Sequence, residues 1–315
     1  MRNLSVQSLS VTSHYQMKRN SLSGSTGVRG TKNGRICLIW AMAMIRRYWL
    51  LWAAMLPSLS GHSSYRTEEG GLSSVLTRVQ YETFFPHHHP LYSYEALVKA
   101  AATYPLFAGT GDAVVRRREL AAFLAEVAHE TTGGGPGAAG GPYAWGLYYT
   151  EELACQDGHC KQYNISDGSP YRAVPGKSYY GRGPIQLTYP YNYGQAGTDL
   201  GLPLLAHPEL VSHDGVIAFQ TALWFWMRAD GSEPSCHAVM TGLWLPDPKD
   251  RRLGRRPGFG MTINIINGNV ECNSHVPAIR EEREDRIGFY RHFAGILQTP
   301  VEKDCDCAGM AAYTN

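Results

Sequence analysis

The residues from Leu120 to Gly134, LAAFLAEVAHETTGG, constrain this chain more than any other stretch. Leu120, Phe123, Leu124 and Val127 recur at helical spacing, so the segment reads as a helix with an apolar stripe, closed by two threonines and a glycine pair. At about 100° per residue Glu130 falls at the edge of that stripe, beside Phe123 and Val127. A carboxyl group held against apolar surface loses hydration of its charged form and keeps its proton to higher pH, as a general acid must. The same position also suits a half-buried helix glutamate tied to a neighbouring arginine.

The chain has 315 residues, enough for one large domain or two ordinary ones with a sizeable core. Its 29 Lys and Arg stand against 27 Asp and Glu, and no basic stripe interleaves with aromatics, which argues against nucleic acid as a partner. The 19 tyrosines and 7 tryptophans suit carbohydrate, because flat rings stack on sugar faces while polar tips bond hydroxyls, although a large aromatic core has the same composition.

Residues 1–41 begin rich in Ser, Asn and Gly without periodicity and read as disordered or foreign to the mature protein. If translation starts at Met42 or Met44, MAMIRR is a positive n-region and YWLLWAAMLPSL an h-region, so residues 42–65 read as a secretory signal peptide. The rival is a signal anchor over Ile36 to Trp52, which would place Arg46-Arg47 at membrane depth at a cost of several kcal/mol. No stable membrane span is expected in the mature form. The folded domain is assigned to 66–299 and a Cys-containing tail to 300–315.

Leu72, Val75, Leu76 and Val79 predict a first helix, closed by Pro86-His-His-His-Pro90. Adjacent histidines between prolines diverge and lack ligand partners at metal spacing, so the turn reads as solvated, and no metal or other cofactor is implied. Ser93 is a candidate N-cap for YEALVKAAATYPLF, and Val114-Val-Arg-Arg-Arg118 leads into the Glu130 helix.

Beyond Gly134 a Gly-rich loop delivers Tyr143-Ala-Trp145-Gly, then Glu151-Glu152 in polar surroundings. One carboxylate in apolar and another in polar surroundings is the arrangement that separates acid from base, though a surface Glu-Glu pair has the same spacing. In Tyr180-Gly-Arg-Gly-Pro-Ile-Gln186-Leu-Thr188 the glycines allow positive φ and close backbone approach. Gln186, Thr188 and Asn192 alternate with apolar residues, which suits a strand offering one polar face to a cleft. Val216 to Met227 is apolar nearly all round and predicts a buried central helix. On the last helix, Pro277 to Leu297, Arg283 and Arg286 share a stripe with Ile279 and Tyr290; buried charges need partners, and Glu271 and a candidate acid are the obvious ones.

Of seven cysteines, Cys37 lies upstream of the expected cleavage site. Cys155 and Cys160 flank a short loop that a disulfide closes better than a zinc site would. Cys272 is expected to pair with Cys305 or Cys307, and Cys236 is left open. Asn164-Ile-Ser166 is an N-glycosylation sequon, consistent with an extracellular, secreted protein.

Taken in order, His129-Glu-Thr-Thr-Gly-Gly134, Pro142-Tyr-Ala-Trp-Gly146, Tyr180-Gly-Arg-Gly-Pro-Ile-Gln186, Tyr191-Asn-Tyr-Gly194, Leu223-Trp-Phe-Trp-Met227, Pro257-Gly-Phe-Gly260, Asn264-Ile-Ile-Asn-Gly268 and Asp285-Arg-Ile-Gly-Phe-Tyr290 resemble the family 19 glycoside hydrolases, which are chitinases. The resemblance implies a mainly α, lysozyme-like domain with a small irregular β region and a long cleft. It also implies inverting, endo-acting hydrolysis of β-1,4-linked N-acetylglucosamine polymer, by a monomer. By matching motifs, Glu130 is the general acid, Glu152 rather than Glu151 the general base, and Thr188 stands where the family has a water-positioning serine. Gln186, Tyr191, Asn192, Asn267 and Trp145 would contact sugar, while His129, Glu271 and Arg286 would support the acid. Inversion needs the carboxyls about 6.5–9.5 Å apart, to admit a water.

Three departures stand out. Gly135 replaces a common tryptophan, Tyr189-Pro190 interrupts a usual polar pair, and a disulfide joining the PHHHPLYSY loop to the Tyr148 position lacks both cysteines. No cysteine-rich chitin-binding module precedes the domain. The alternatives are a peptidoglycan-cleaving muramidase of similar fold and a catalytically silent chitin-binding lectin.

Overall fold

The structure, a computed structural model, describes residues 71–155, 160–165 and 168–313. The extension expected over 1–41 and the signal peptide expected over 42–65 lie outside the described residues. Among those described, no helix is long and apolar enough to cross a membrane.

The described chain is built from α1 (Arg78–Phe84), α2 (Tyr94–Ala101), α3 (Ala113–Glu130), α4 (Pro190–Leu200), α5 (Leu210–His213), α6 (Gly215–Met227), α7 (Cys236–Met240), α8 (Pro248–Arg252), α9 (Phe259–Glu271) and α10 (Pro277–Ile296), joined by loops and short 3-10 turns. Among the described residues, extended pairing is limited to isolated bridges such as Glu151 with Arg182 and Arg182 with Leu187.

Capping chemistry sets the helix starts. Ser93 accepts from the Ala96 N–H to open α2, as its position predicts. Asp112 accepts from the Val114 and Val115 N–H groups to open α3. The predicted first helix is not continuous: Leu72–Ser74 forms a 3-10 turn, and α1 begins only after Thr77, which makes a capping box with Gln80. Val79, assigned to the apolar face, is 76% exposed, because the break rotates the helix that follows.

The helix ending at Glu130 is more deeply placed than one apolar stripe implies. Every residue from Glu119 to His129 is buried, so α3 is a central helix with neighbours on all sides. It packs along α10, while α2 lies along α6. Phe123 stands edge-on to both Phe107 and Trp226, which ties α3 to α6, and Phe84 and Phe85 meet Phe293, which ties α1 to α10. Such pairs add about 0.5–1.5 kcal/mol each beyond burial. The all-round apolar segment forms α6, buried from Ala218 to Trp226 apart from Gln220.

The tail folds back onto the domain. Cys272 at the end of α9 is bonded to Cys307, not Cys305. Arg255 donates to the Ala311 and Ala312 carbonyls. Arg283 donates from Nε to Asp306 at 2.7 Å and from Nη1 to the Glu271 carbonyl, so its carboxylate partner comes from the tail rather than from Glu271.

Candidate active site

Glu130 is the last residue of α3, and its side chain is 1% exposed. Its Oε1 accepts from Arg286 Nη2 at 2.5 Å. Its Oε2 is buried with no hydrogen-bond partner among the described residues. The carboxyl group is therefore not simply held against apolar surface, as the stripe suggests; it lies at the edge of an ion cluster, and the arginine tie read as an alternative is present.

Arg286, from α10, is fully buried and serves three carboxylates. Its Nε and Nη2 donate to Glu271, at 3.1 and 2.7 Å, and its Nη1 donates to Glu126 Oε2 at 2.8 Å. Burial alone would strip the guanidinium of its proton more easily, but Glu271, Glu130 and Glu126 hold it charged, well above the usual arginine range. Asn267 lies in a kink of α9, with φ −142° and ψ 28°, and its Nδ2 donates to Glu271 Oε1 at 2.8 Å. Burial pushes the Glu271 carboxyl up, yet the Arg286 charge and the bonds from Arg286 and Asn267 hold it below its ordinary value. Glu271 and Arg286, expected to support the acid, meet in this cluster, and Asn267, expected to touch sugar, is engaged in it too.

His129 precedes Glu130 and points to α10. Its Nδ1 lies 2.7 Å from Asp285 Oδ2, and its Nε2 3.5 Å from Glu282. Burial lowers the tendency of the imidazole to charge, as does Arg286, but the bond and charge of Asp285, with Glu130, lift it above the ordinary 6.5.

Backbone bonds carry the chain from Glu130 towards Glu152. The Thr131 carbonyl accepts from the Tyr148 and Tyr149 N–H groups, and its hydroxyl accepts from the Leu147 N–H. Three residues further on, the Glu152 N–H donates to the Gly181 carbonyl at 2.9 Å, and the Gly183 N–H donates to that of Thr150. Glu152 is half-buried; its Oε1 accepts from the Tyr163 hydroxyl at 2.7 Å and its Oε2 from the Gly181 N–H at 3.4 Å. Burial, together with that bond and the Glu152 charge, raises the Tyr163 phenol well above its usual value, so it remains a donor. Glu151 instead accepts from Ser212 and pairs with Arg182. The two neighbouring glutamates are thus divided: Glu151 binds the chain to itself, and Glu152 holds a polar, partly open position.

The segment expected to be a strand is not one. Gln186 takes a positive φ of 50° in a turn closed by its own side chain, which donates to the Gly183 carbonyl. Tyr189, with φ 74°, leads into α4, where Pro190 occupies the first turn. Alternation over residues 186–192 reads alike in a strand and in a turn running into a helix. Thr188 is buried, and its hydroxyl donates to the Gln186 carbonyl at 2.8 Å; Asn192 Nδ2 donates to the Thr188 carbonyl. Tyr191 stacks on Tyr189 with centroids 5.3 Å apart.

Trp145, expected to face sugar, has its own occupants. Its indole N–H donates to the Ala139 carbonyl, and its ring lies 4.2 Å from that of His87, stacked at 24°. The His89 N–H donates to the Leu147 carbonyl. The triple-histidine turn therefore braces the Trp145 loop. The cysteine pair expected at 155 and 160 is formed. Asn164 of the sequon donates from Nδ2 to the Lys177 carbonyl and accepts from the Tyr179 N–H.

Glu126, Thr262 and Tyr163 have no place in the sequence reading, while His87 and Asp285 enter it only inside the triple-histidine turn and the Asp285–Tyr290 motif. Of the first three, Glu126 carries a signal, since it stands four residues before Glu130 and so on the same helix face.

The family model described as chitinase class I matches residues 80–307. The chain is 45% identical over 247 residues to the acidic endochitinase WIN6 of Populus trichocarpa, a match covering 76% of this chain and 70% of that protein. It is 42% identical over 278 residues to the inactive chitinase-like protein 1 of Hevea brasiliensis, covering 83% and 86%. Among solved structures, chitinase C from Streptomyces griseus aligns with a TM-score of 0.59 at 35% identity, over 74% of this chain and 80% of that one. The mainly helical, lysozyme-like fold and the ordered motifs agree with these matches over most of the described length, and the chain belongs to the class I chitinases, that is, to the family 19 glycoside hydrolases.

Proposed function

We propose that this chain cuts β-1,4 linkages within N-acetylglucosamine polymer by an inverting mechanism, with Glu130 as general acid, Glu152 as general base and Thr188 as a water-positioning hydroxyl. The observation that carries this reading is the asymmetry of Glu130: one oxygen is pinned by Arg286 and the other has no hydrogen-bond partner. A carboxyl group so held has a fixed orientation and one oxygen left to carry a proton to the glycosidic oxygen. Because that oxygen is covered, substrate binding has to open it, in keeping with catalytic contacts that tighten only once substrate is bound.

Glu152 supplies the complementary half. Held at one oxygen by Tyr163 and half-exposed, it would take a proton from a water attacking the opposite face of the sugar. The Thr188 hydroxyl spends its hydrogen on the Gln186 carbonyl, so its lone pairs remain to accept from that water. Gln186, Tyr191, Asn192, Asn267 and Trp145 are assigned to the sugar-binding surface. Secretion, after removal of residues 42–65, fits the two disulfides, which persist in oxidising compartments.

A silent reading is favoured by one observation, the Hevea relative named as inactive. The chain retains both carboxylates, the hydroxyl and the arginine cluster. The test is hydrolysis of a soluble N-acetylglucosamine hexamer followed by NMR of the first products. Fresh α-anomer at the new reducing ends supports an inverting chitinase; fresh β-anomer defeats inversion, and no cleavage by wild type defeats the enzyme. Clearing of bacterial walls in its place would favour the muramidase.

A further inference from the structure

The proposed mechanism uses Glu130, Arg286 and Glu271 but leaves Glu126 without a role. This residue sits one helical turn before Glu130, fully buried, with Arg286 Nη1 donating to its Oε2 at 2.8 Å and the Thr262 hydroxyl donating to its Oε1 at 2.7 Å. The charged groups that act on it are Arg286 from α10 and Glu271 from α9; Glu130 shares the same guanidinium, and His129, beside Glu130 on α3, faces Asp285 and Glu282. Three buried carboxylates thus share one guanidinium, and full ionisation of all three would leave excess negative charge in a dry place.

We propose that Glu126 is a positioning residue that holds the surplus proton of the cluster and, by gaining or losing it, decides how firmly Arg286 grips Glu130, so that it sets the alkaline limit of the reaction. The inference rests on the chitinase reading above. Burial raises the Glu126 carboxyl to about 7, against the pull of Arg286 and Thr262, so its charge changes in the neutral range. When Glu126 ionises, its negative charge draws on Nη1 of the guanidinium whose Nη2 holds Glu130. A like charge there favours the protonated, donating form of the acid. A titrating Glu126 therefore extends proton donation towards alkaline pH.

Glu126→Gln tests this without emptying the site. The amide oxygen can still accept from Arg286, and its NH2 can donate to the Thr262 oxygen, whose hydrogen then goes to the Phe259 carbonyl at 2.7 Å. With wild type and variant on the soluble hexamer, the alkaline limb of kcat/KM in Glu126→Gln is expected to move to lower pH by about one unit. Thr262→Val removes one donor to the carboxylate form, so Glu126 ionises later, and the same limb moves the same way by less. Independently of turnover, the gain in melting temperature of Glu126→Gln over wild type is expected to grow from pH 5 to pH 8, since only wild type must then ionise a buried carboxyl. If wild type cleaves but the pH profiles superimpose, or the melting difference is constant with pH, this inference is overturned while the chitinase reading stands. If wild type leaves the hexamer intact at every pH, both fall.

Discussion

Glu130 and Arg286, 156 residues apart in the chain, meet at 2.5 Å with both side chains excluded from solvent. The contact links the end of α3 to the middle of α10, the two helices that pack along each other. Because the same guanidinium also holds Glu271 and Glu126, orienting the candidate acid and neutralising the interior are one task.

Arg286→Ala is expected to destabilise the fold by about 3–5 kcal/mol, the cost of leaving buried charges without their partner. Arg286→Lys retains charge but loses the fork that reaches three carboxylates, so it is expected to recover part of the stability and little of the activity. Denaturant unfolding of the two variants, with turnover in parallel, checks the order; equal turnover in Arg286→Lys and wild type would contradict it.

The His129 to Asp285 contact makes stability depend on pH. An imidazole whose charged form is favoured in the fold contributes stability that is fully present below its unfolded value of 6.5 and lost as pH rises through the higher folded value. Asp285→Asn is therefore expected to lower the melting temperature at pH 5.5 by more than at pH 9. A larger loss at pH 9 would rule out this coupling.

Glu152→Gln is expected to reduce kcat by about 10²- to 10⁴-fold, the usual worth of a positioned base, with sugar affinity largely kept. Tyr163→Phe removes the hydroxyl that orients Glu152, and a loss of about tenfold in kcat with little change in KM is expected. Stopped assays on the hexamer separate the two parameters; a Tyr163 effect confined to KM would speak for direct sugar contact instead.

The two disulfides differ in consequence. Cys272–Cys307 spans 35 residues and Cys155–Cys160 spans 5. Loop-closure entropy then gives about 4 kcal/mol for the first and about 2 kcal/mol for the second. Cys307→Ser also frees the chain next to Glu271, so it is expected to lower turnover as well as the unfolding midpoint, whereas Cys160→Ser is expected to act mainly on stability. Chemical denaturation and hexamer turnover of both variants test this; a Cys307→Ser protein with unchanged turnover would separate the tail from the site.

Much of this protein was written in local patterns. A candidate cap located α2, an all-round apolar run α6 and a shared stripe α10, and ordered short motifs brought Glu130, Glu152, Arg286 and Glu271 into one hypothesis, because periodicity and capping depend on neighbours within a few residues. Alternation around Gln186 and Asn192 misled, since a positive φ at Gln186 and a proline-led helix produce the same spacing as a strand. What only the tertiary structure decided is who partners whom: Glu126 as a third ligand of Arg286, Asp306 rather than Glu271 as the carboxylate of Arg283, Cys307 rather than Cys305, and His87 laid on Trp145. Burial pattern is a local property of a helix face, but an ion pair between α3 and α10 depends on how two distant helices cross, which no window of sequence contains.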